Sequence, residues 1–412
     1  MKEVISIGVA GLGGYAGAIC SLLEKHSRGD QPAVKLVAVC EPDHGLHAPR
    51  IAELRAAGIK VLQRYEDLLA EPIEAVWLPV PIDLHRPFTE QALAAGKAVM
   101  CEKPAAGCID DVDAMIAARD RSGRAVAIGF QDIYNPLTVD LKRRVLKSEI
   151  GRITSATVWG CWPRNSSYYG RASWAGGLQR NGVWVLDSPA NNALAHQINL
   201  ALFLLGTSLT ESAMPLEVEA ELYRANPIEN YDTCALRLKL PGDIPLLVML
   251  THACARQIHP QIELRGPKGS IRWKLGEHIQ ITAGDNEQTI PLPPHDWDQI
   301  IRRFAQYVRG TLDDGVVATL EMARCHSAVI SGASEAAAVH TVPESFVQTI
   351  MLPEGERLRA ITGVEELFKQ CAASGQMPHE TGRAEWSVPT GRKDLRGYHH
   401  FAGPAGGASL RK

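Results

Sequence analysis

No C-x-x-C pair occurs among the nine cysteines, which are odd in number and scattered along the chain of 412 residues. That argues against zinc-ribbon spacings and against a disulfide framework; the expectation is reduced thiols in a cytoplasmic protein. Cys40 and Cys101 sit in apolar runs, as small core residues do. No apolar run reaches about 18 residues, so no membrane span is expected. Net charge is nearly absent too. A formal charge of -3 gives no electrostatic reason to expect nucleic acid or an anionic membrane as partner. The start, "MKEVISIGVAGLGG", meets glycine after a very short apolar stretch and reads as a first strand, not a signal peptide. Solenoid-type repeats are missing as well.

What is present is enough apolar sequence for more than one core. The first third alternates "VISIGVA", "VKLVAVC", "IEAVWLPV", "KAVMC" and "AVAIGF" with helical segments such as "GAICSLLEKH". Continuous apolar strands of this kind suit a parallel sheet covered on both faces, hence a doubly wound α/β domain. From Gly151 to about Thr282 the pattern changes to long β-type stretches, interrupted by the apolar helix "NALAHQINLALFLLG". Two helices follow, "DWDQIIRRFAQYVRG" and "VATLEMARCHSAVISGASEAAA". The expected fold is an N-terminal Rossmann domain over 1–131, then an α+β domain over 132–343 with a large, mostly antiparallel sheet. A C-terminal extension, 344–412, holds one more expected helix, "LRAITGVEELFKQCAASG", and a Gly-rich tail. His399 and His400 in "GYHHFAGP" lack further ligands at metal-site spacing. They read as part of a solvated or interface tail, and no metal site is expected.

The turn after the first strand carries the chemistry. "GVAGLGGYAGAIC" contains Gly11-x-Gly13-x-x-Ala16, with Gly14 and Tyr15 in the same turn. Gly11 allows the tight turn, Gly13 lets the backbone approach a pyrophosphate, and Ala16 permits close helix–strand packing. The helix N-terminus offers N–H groups to the anion. The second strand ends at Glu41, somewhat beyond the usual ~20-residue interval. A carboxylate there accepts ribose hydroxyls and repels a 2′-phosphate, which favours NAD over NADP. Arg50 and Arg64 are the cations able to lie nearby.

"LPVPIDLHRPFTEQALAAGKAVMCEKP" resembles the signature of the glucose–fructose oxidoreductase / inositol dehydrogenase (Gfo/Idh/MocA) family. The resemblance rests on Pro81, His85, Ala95, Gly96, Lys97 and Glu102-Lys103-Pro104. "GFQDIYNP" and "HQINLALFLLG" are similar to the family's crossover and to its histidine helix. The resemblance covers roughly residues 1–343. It implies cofactor contacts from Pro81, His85, Glu102 and Lys103. It also implies that Lys103 points from the fifth strand's end toward the nicotinamide and the substrate hydroxyl, and that His196 is the base. An ammonium stabilises the oxygen as hydride leaves its carbon, and imidazole titrates near neutrality. Two positions depart from the family pattern. Asn199 stands where aspartate is usual and cannot act as a base. The glycine-rich stretch before the histidine is replaced by "NGVWVLDSPANNALAH". Asn192 lies four residues before His196, and spacing does not place Asp187.

"CWPRNSSYYGRASWAGGLQRNGVW" concentrates Trp162, Arg164, Tyr168, Tyr169, Trp174 and Arg180. Aromatic faces stack on sugar rings and arginine binds hydroxyls or anions, so these residues form a candidate substrate wall; a packed cluster is the alternative. Tyr134, Asn192 and Asn199 join the candidate substrate-binding set. The resulting expectation is an NAD-dependent oxidoreductase acting on a carbohydrate or cyclitol secondary alcohol, in a homo-oligomer (dimer or tetramer). An NAD-dependent glycosidase working by transient ring oxidation, and a dinucleotide-binding sensor without catalysis, are the alternatives.

Overall fold

The computed structural model describes residues 4–406; the last residues of the C-terminal tail, 407–412, lie outside them, as do residues 1–3. The chain forms two compact units. Unit 1 comprises the chain up to Ala106 with Asp111–Val139 and His295–Ala323, and unit 2 comprises Gly107–Asp110, Asp140–Pro294 and the chain from Arg324. Among the described residues no helix is long and apolar enough to cross a membrane.

Unit 1 is built on six strands: β1 (Ile5–Ala10), β2 (Val34–Cys40), β3 (Lys60–Leu62), β4 (Ala75–Leu78), β5 (Ala98–Cys101) and β6 (Val126–Ile128). They pair in the order β3-β2-β1-β4-β5-β6, every pair parallel. Ile5, Ile7 and Val9 are fully buried, as are all four residues of β4 and of β5. This is why these strands read as unbroken apolar runs rather than alternating ones. Strand order reverses between β1 and β4, the switch point where an open parallel sheet leaves a crevice at its carboxyl edge. The helix Trp297–Arg309 also belongs to this unit. Asp296 caps its start by accepting from Gln299 N at 3.2 Å, Gly310 ends it at φ 65°, and Phe304 packs 6.3 Å from the Trp77 ring.

Unit 2 carries the remaining strands. These are β7 (Ser155–Cys161), β8 (Gln179–Arg180), β9 (Val183–Trp184), β10 (Glu217–Arg224), β11 (Thr233–Leu240), β12 (Ile244–Thr251), β13 (Ile258–Gly266) and β14 (Gly269–Lys274). After them come β15 (His278–Ala283), β16 (Asn286–Pro291), β17 (Val339–Thr341), β18 (Val347–Met351), β19 (Arg357–Ile361) and β20 (Gly391–Asp394). The large sheet runs β16-β15-β14-β13-β7-β12-β11-β10-β17, with β20 also on β10. It is antiparallel except where β7 meets β12 and β10 meets β17. Trp159 and Cys161 share one face of β7, since strand side chains alternate. They pack with Leu247, Met249, Phe368, Met377 and Trp386 in one core, so the C-terminal segment is part of this unit's interior.

One expectation changes here. "LRAITGVEELFKQCAASG" is not one helix: Arg357–Ile361 is β19, paired antiparallel with β18, and the helix begins at Val364. Gly363 at φ 75° breaks the segment, and Leu358 and Ala360 alternate inward as strand residues do. The tail keeps His399 and His400 exposed, while the residues on either side of them are docked. Tyr398 and Phe401 are buried, and His400 Nδ1 and Phe401 N bond the Asp110 carboxylate at 2.7 and 2.8 Å.

The apolar helix Ala195–Leu204 is fixed at its carboxyl end by a fully buried lysine. Lys142 Nζ donates to Phe203 O, to Gly206 O at 3.1 Å and to Glu211 O at 3.0 Å. Burial pulls its pKa down to about 7, while three carbonyls accept all three protons of the ammonium and complement the negative helix end. Lys142→Met leaves those acceptors buried and unmet. Urea denaturation is expected to show a loss of about 3 kcal/mol; a loss under about 0.5 kcal/mol contradicts the anchoring role.

Candidate active site

The fingerprint turn follows β1 directly. Gly11 holds φ 104° and donates its N–H to Cys40 O at 2.6 Å, and Gly14 opens the helix Tyr15–Ser27 at φ 51°. A Cβ on Gly11 would stand 3.2 Å from Ala16 Cβ, and one on Gly17 only 2.7 Å from Leu12 O. Small residues at these positions are what bring helix and strand together. Gly13 is exposed and faces the His47 imidazole, 3.7 Å from where its Cβ would be. Tyr15 is 47% exposed and tilted against Trp297 at 6.4 Å.

Glu41 ties the end of β2 to this turn. One carboxylate oxygen accepts from Leu12 N at 2.8 Å and the other from Asp43 N at 2.9 Å, and His47 Nε2 lies 3.9 Å away. Each oxygen keeps a lone pair for a hydroxyl donor. Arg50 is bound to Glu24 at 2.7 Å and Glu53 at 2.9 Å, and Arg64 leans on Glu66. The turn and the acidic strand end thus fit an adenosine diphosphate portion whose ribose keeps both hydroxyls. His47 contributes to this surface and was not singled out in the sequence, because the bend that brings it to Gly13 leaves no motif.

At β4 and β5 the candidates are held by one another. Pro81 precedes the helix Ile82–Ala94. The buried His85 ring lies between Pro104 O and Val80 O, 2.8 Å from each, and so links the loops after β4 and β5; burial lowers its pKa. Glu102 is also buried. Its Oε1 accepts from Trp77 Nε1 at 3.0 Å, and it fills the space where a Gly129 Cβ would stand, 2.5 Å from Oε2. Lys103 follows, partly buried, with a cis peptide to Pro104. Tyr134 is placed in the core of this unit, its hydroxyl donating to Ile128 O at 2.9 Å.

In unit 2 the aromatic segment folds into a connected cluster. The Tyr168 ring lies edge-on to Tyr169 at 5.3 Å and to His252 at 5.7 Å. Arg171 stands over the rings of Tyr168 and Trp174, at 3.7 and 4.9 Å, and Arg164 over those of Tyr168 and Trp162, at 4.8 and 5.5 Å. Asp187 is buried beneath them. It accepts from Gly176 N at 2.6 Å and Asn192 Nδ2 at 2.7 Å, with Arg171 at 3.5 Å. Asn192 therefore sits fixed one turn before the helix of His196 (partly buried) and Asn199 (fully buried). Arg180 lies in the small β8–β9 hairpin. Arg171 and His252 are the residues that sequence reasoning left out, and Asp187 the one it named without placing. Only "WPR", followed by alternating aromatic and arginine residues, hinted at the cluster.

The β–turn–helix nucleotide end after β1 and Lys103 just past β5 lie at the carboxyl edge of one parallel sheet, as in a dinucleotide-binding domain. The model of the "Oxidoreductase family, NAD-binding Rossmann fold" matches residues 5–130, and the "GFO/IDH/MocA C-terminal domain" matches residues 138–272. The chain belongs to the Gfo/Idh/MocA family. Inositol 2-dehydrogenase of Rubrobacter xylanophilus is 32% identical over 40% of this chain and 45% of its own length. D-apiose dehydrogenase of Paraburkholderia graminis is 25% identical over 72% of this chain and 78% of its own. An uncharacterised oxidoreductase of Rhizobium meliloti is matched over only 36% of its length, so the chain spans less than half of two of these three relatives. Among solved structures, an Agrobacterium radiobacter oxidoreductase complexed with NAD+, L-tartaric acid and magnesium superposes with TM-score 0.66 at 14% identity, over 96% of this chain and 99% of its own. The WlbA dehydrogenase of Bordetella pertussis, complexed with NADH and UDP-GlcNAcA, gives 0.63 at 22%, over 79% and 94%.

Burial raises the Glu102 carboxyl to about 7, against the opposing pull of the Trp77 hydrogen bond and of Lys103. The folded protein then holds a proton that the unfolded chain releases near pH 4, so stability falls as pH rises from about 4 to about 7. Glu102→Gln keeps an acceptor for Trp77 and removes that titration. Denaturation at a series of pH values is expected to show the variant more stable than the parent by roughly 3 kcal/mol above pH 7, with the gap closing toward pH 4. A gap that does not change with pH contradicts the buried-proton account.

Proposed function

We propose that the protein is an NAD-dependent dehydrogenase removing hydride from a secondary alcohol of a sugar, sugar acid or cyclitol. The observation that carries this reading is the pairing of an NAD-type turn, closed by Glu41, with Lys103 at the carboxyl end of β5. The relatives named inositol 2-dehydrogenase and D-apiose dehydrogenase support the alcohol class.

The nicotinamide, when bound, supplies the hydride acceptor. The chain's own work is orientation and charge. Glu41 receives ribose hydroxyls, and the Tyr15–Ser27 helix presents its N-terminus to phosphate. Lys103 holds the reacting hydroxyl and stabilises its developing negative charge, while His196 takes its proton. Asn199 orients through hydrogen bonds only. Nine buried cysteines, none in a disulfide among the described residues, fit a reducing compartment, so the cytoplasm is the proposed location.

The test is incubation with NAD+ and a panel of sugars, sugar acids, cyclitols and aryl glycosides, following NADH absorbance together with aglycone release. NADH formation is expected; aglycone release without NADH contradicts the reading and favours a redox glycosidase. On the substrate so found, Lys103→Ala is expected to lower kcat by about 10²–10⁴-fold while NAD+ affinity stays close to that of the parent. Lys103→Arg should rescue little, because a planar fork does not replace a compact ammonium at one oxygen. Near-normal turnover of Lys103→Ala overturns the mechanism.

A further inference from the structure

We propose that the substrate is an anionic polyol, and that Arg164 binds its carboxylate or phosphate group; this deepens, and rests on, the dehydrogenase reading. The starting point is a cation without a carboxylate of its own in the aromatic cluster of unit 2. Two guanidiniums share the Tyr168 ring; of the nearby carboxylates Asp187 lies against Arg171, and Asp232, whose field reaches Tyr169, is held by Ala225 N, Asn226 and Thr233. Arg164 is partly buried and has no carboxylate within ion-pair distance among the described residues. Its Nη1 makes a long contact, 3.4 Å, to Pro163 O, its guanidinium also bonds the Tyr168 hydroxyl, and its Nε is buried without a hydrogen-bond partner. Stacking on aromatic rings attracts a cation, yet it neither neutralises the charge nor satisfies an N–H.

The surroundings carry the same signature. Trp162 Nε1 and Tyr169 Oη are buried with no partner, and so is His252 Nε2. His252 Nδ1 lies 2.8 Å from Trp162 O, and burial, reinforced by the fields of Arg164 and Arg171, pushes the ring down to about 3, so it stays neutral. With Nδ1–H donating to that carbonyl, His252 Nε2 is an unmet acceptor, whereas Trp162 Nε1, Tyr169 Oη and Arg164 Nε are unmet donors. A partly buried cation beside such donors is costly unless an anion completes it. A guanidinium fork meets two oxygens of a carboxylate or phosphate at once. Tyr169 also lines a cleft of about 1140 Å³ whose walls bear Arg224, Arg357 and Arg359 against Glu229 and Glu344. Arg224 is committed to Thr341 and to backbone carbonyls, and Arg359 to Ala225 O and Glu344. The cleft keeps an excess of positive charge and an aromatic wall, which suits a charged sugar more than a neutral one.

The probes are D-glucuronate, D-glucose 6-phosphate and D-glucose, added to the NAD+-saturated protein, with binding followed by calorimetry and by tryptophan fluorescence. One or both anionic sugars are expected to bind more tightly than glucose by at least about 10-fold, weakening as salt rises. Comparing the two anions tells a carboxylate site from a phosphate site. Arg164→Gln is expected to remove the preference, and Arg164→Lys to restore part of it, with NAD+ affinity unchanged in both as a check on folding. Glucose binding as well as the anions, absence of binding by both anions, or a preference that survives Arg164→Gln overturns the proposal. Turnover separates this from the parent reading: NADH made from neutral sugars alone leaves the dehydrogenase and sinks the anion site. Anion binding through Arg164 with no NADH from any polyol does the reverse.

Discussion

The hydrogen bond from Leu12 N to Glu41 is the contact on which the nucleotide end of the protein depends. It joins the fingerprint turn to the neighbouring strand, and Gly11 N on Cys40 O doubles the connection. Neither would reach if the Tyr15–Ser27 helix stood further from β1. Ala16 and Gly17 allow that approach, since a Cβ at Gly17 would meet Leu12 O at 2.7 Å. The acidic side chain therefore does two things at once. It holds the turn in shape, and it keeps spare acceptor capacity at the carboxyl end of β2, which the proposed function assigns to ribose hydroxyls.

The same logic runs through the other buried charges. Lys142 gives its protons to three carbonyls, Asp187 collects a backbone N–H and an amide, and Glu102 takes the Trp77 indole N–H. Burial without such partners costs more than a marginally stable fold can spare. Arg164 differs from these, with aromatic rings where a carboxylate would be expected. That lack of a carboxylate partner gives it functional weight.

Much of the fold was legible because one-dimensional patterns encode it. Unbroken runs such as "AVWL" and "AVMC" can be buried on both faces only inside a parallel sheet. The glycine turn, Glu41 and the Glu-Lys-Pro triplet are local in sequence and were readable for the same reason. What escaped is what depends on distant partners. "LRAIT" reads as helix until β18 pairs with it, and nothing in the periodicity of Trp297–Arg309 says which unit the helix joins. His47, Asp187 and His252 carry no motif and acquire meaning only from Gly13, Asn192 and Tyr168 beside them. Tyr134, a candidate by its neighbourhood in "QDIYNP", has its hydroxyl on a backbone carbonyl inside the core.

Calorimetric titration of the purified protein with NAD+ and with NADP+ tests the central claim most directly. Glu41, held by Leu12 and Asp43 and far from neutralised by Arg50, favours a free 2′-hydroxyl over a phosphate. NAD+ is predicted to bind more tightly by at least about 10-fold, the scale of one charge-assisted hydrogen bond. Equal affinity, or tighter binding of NADP+, would contradict the account.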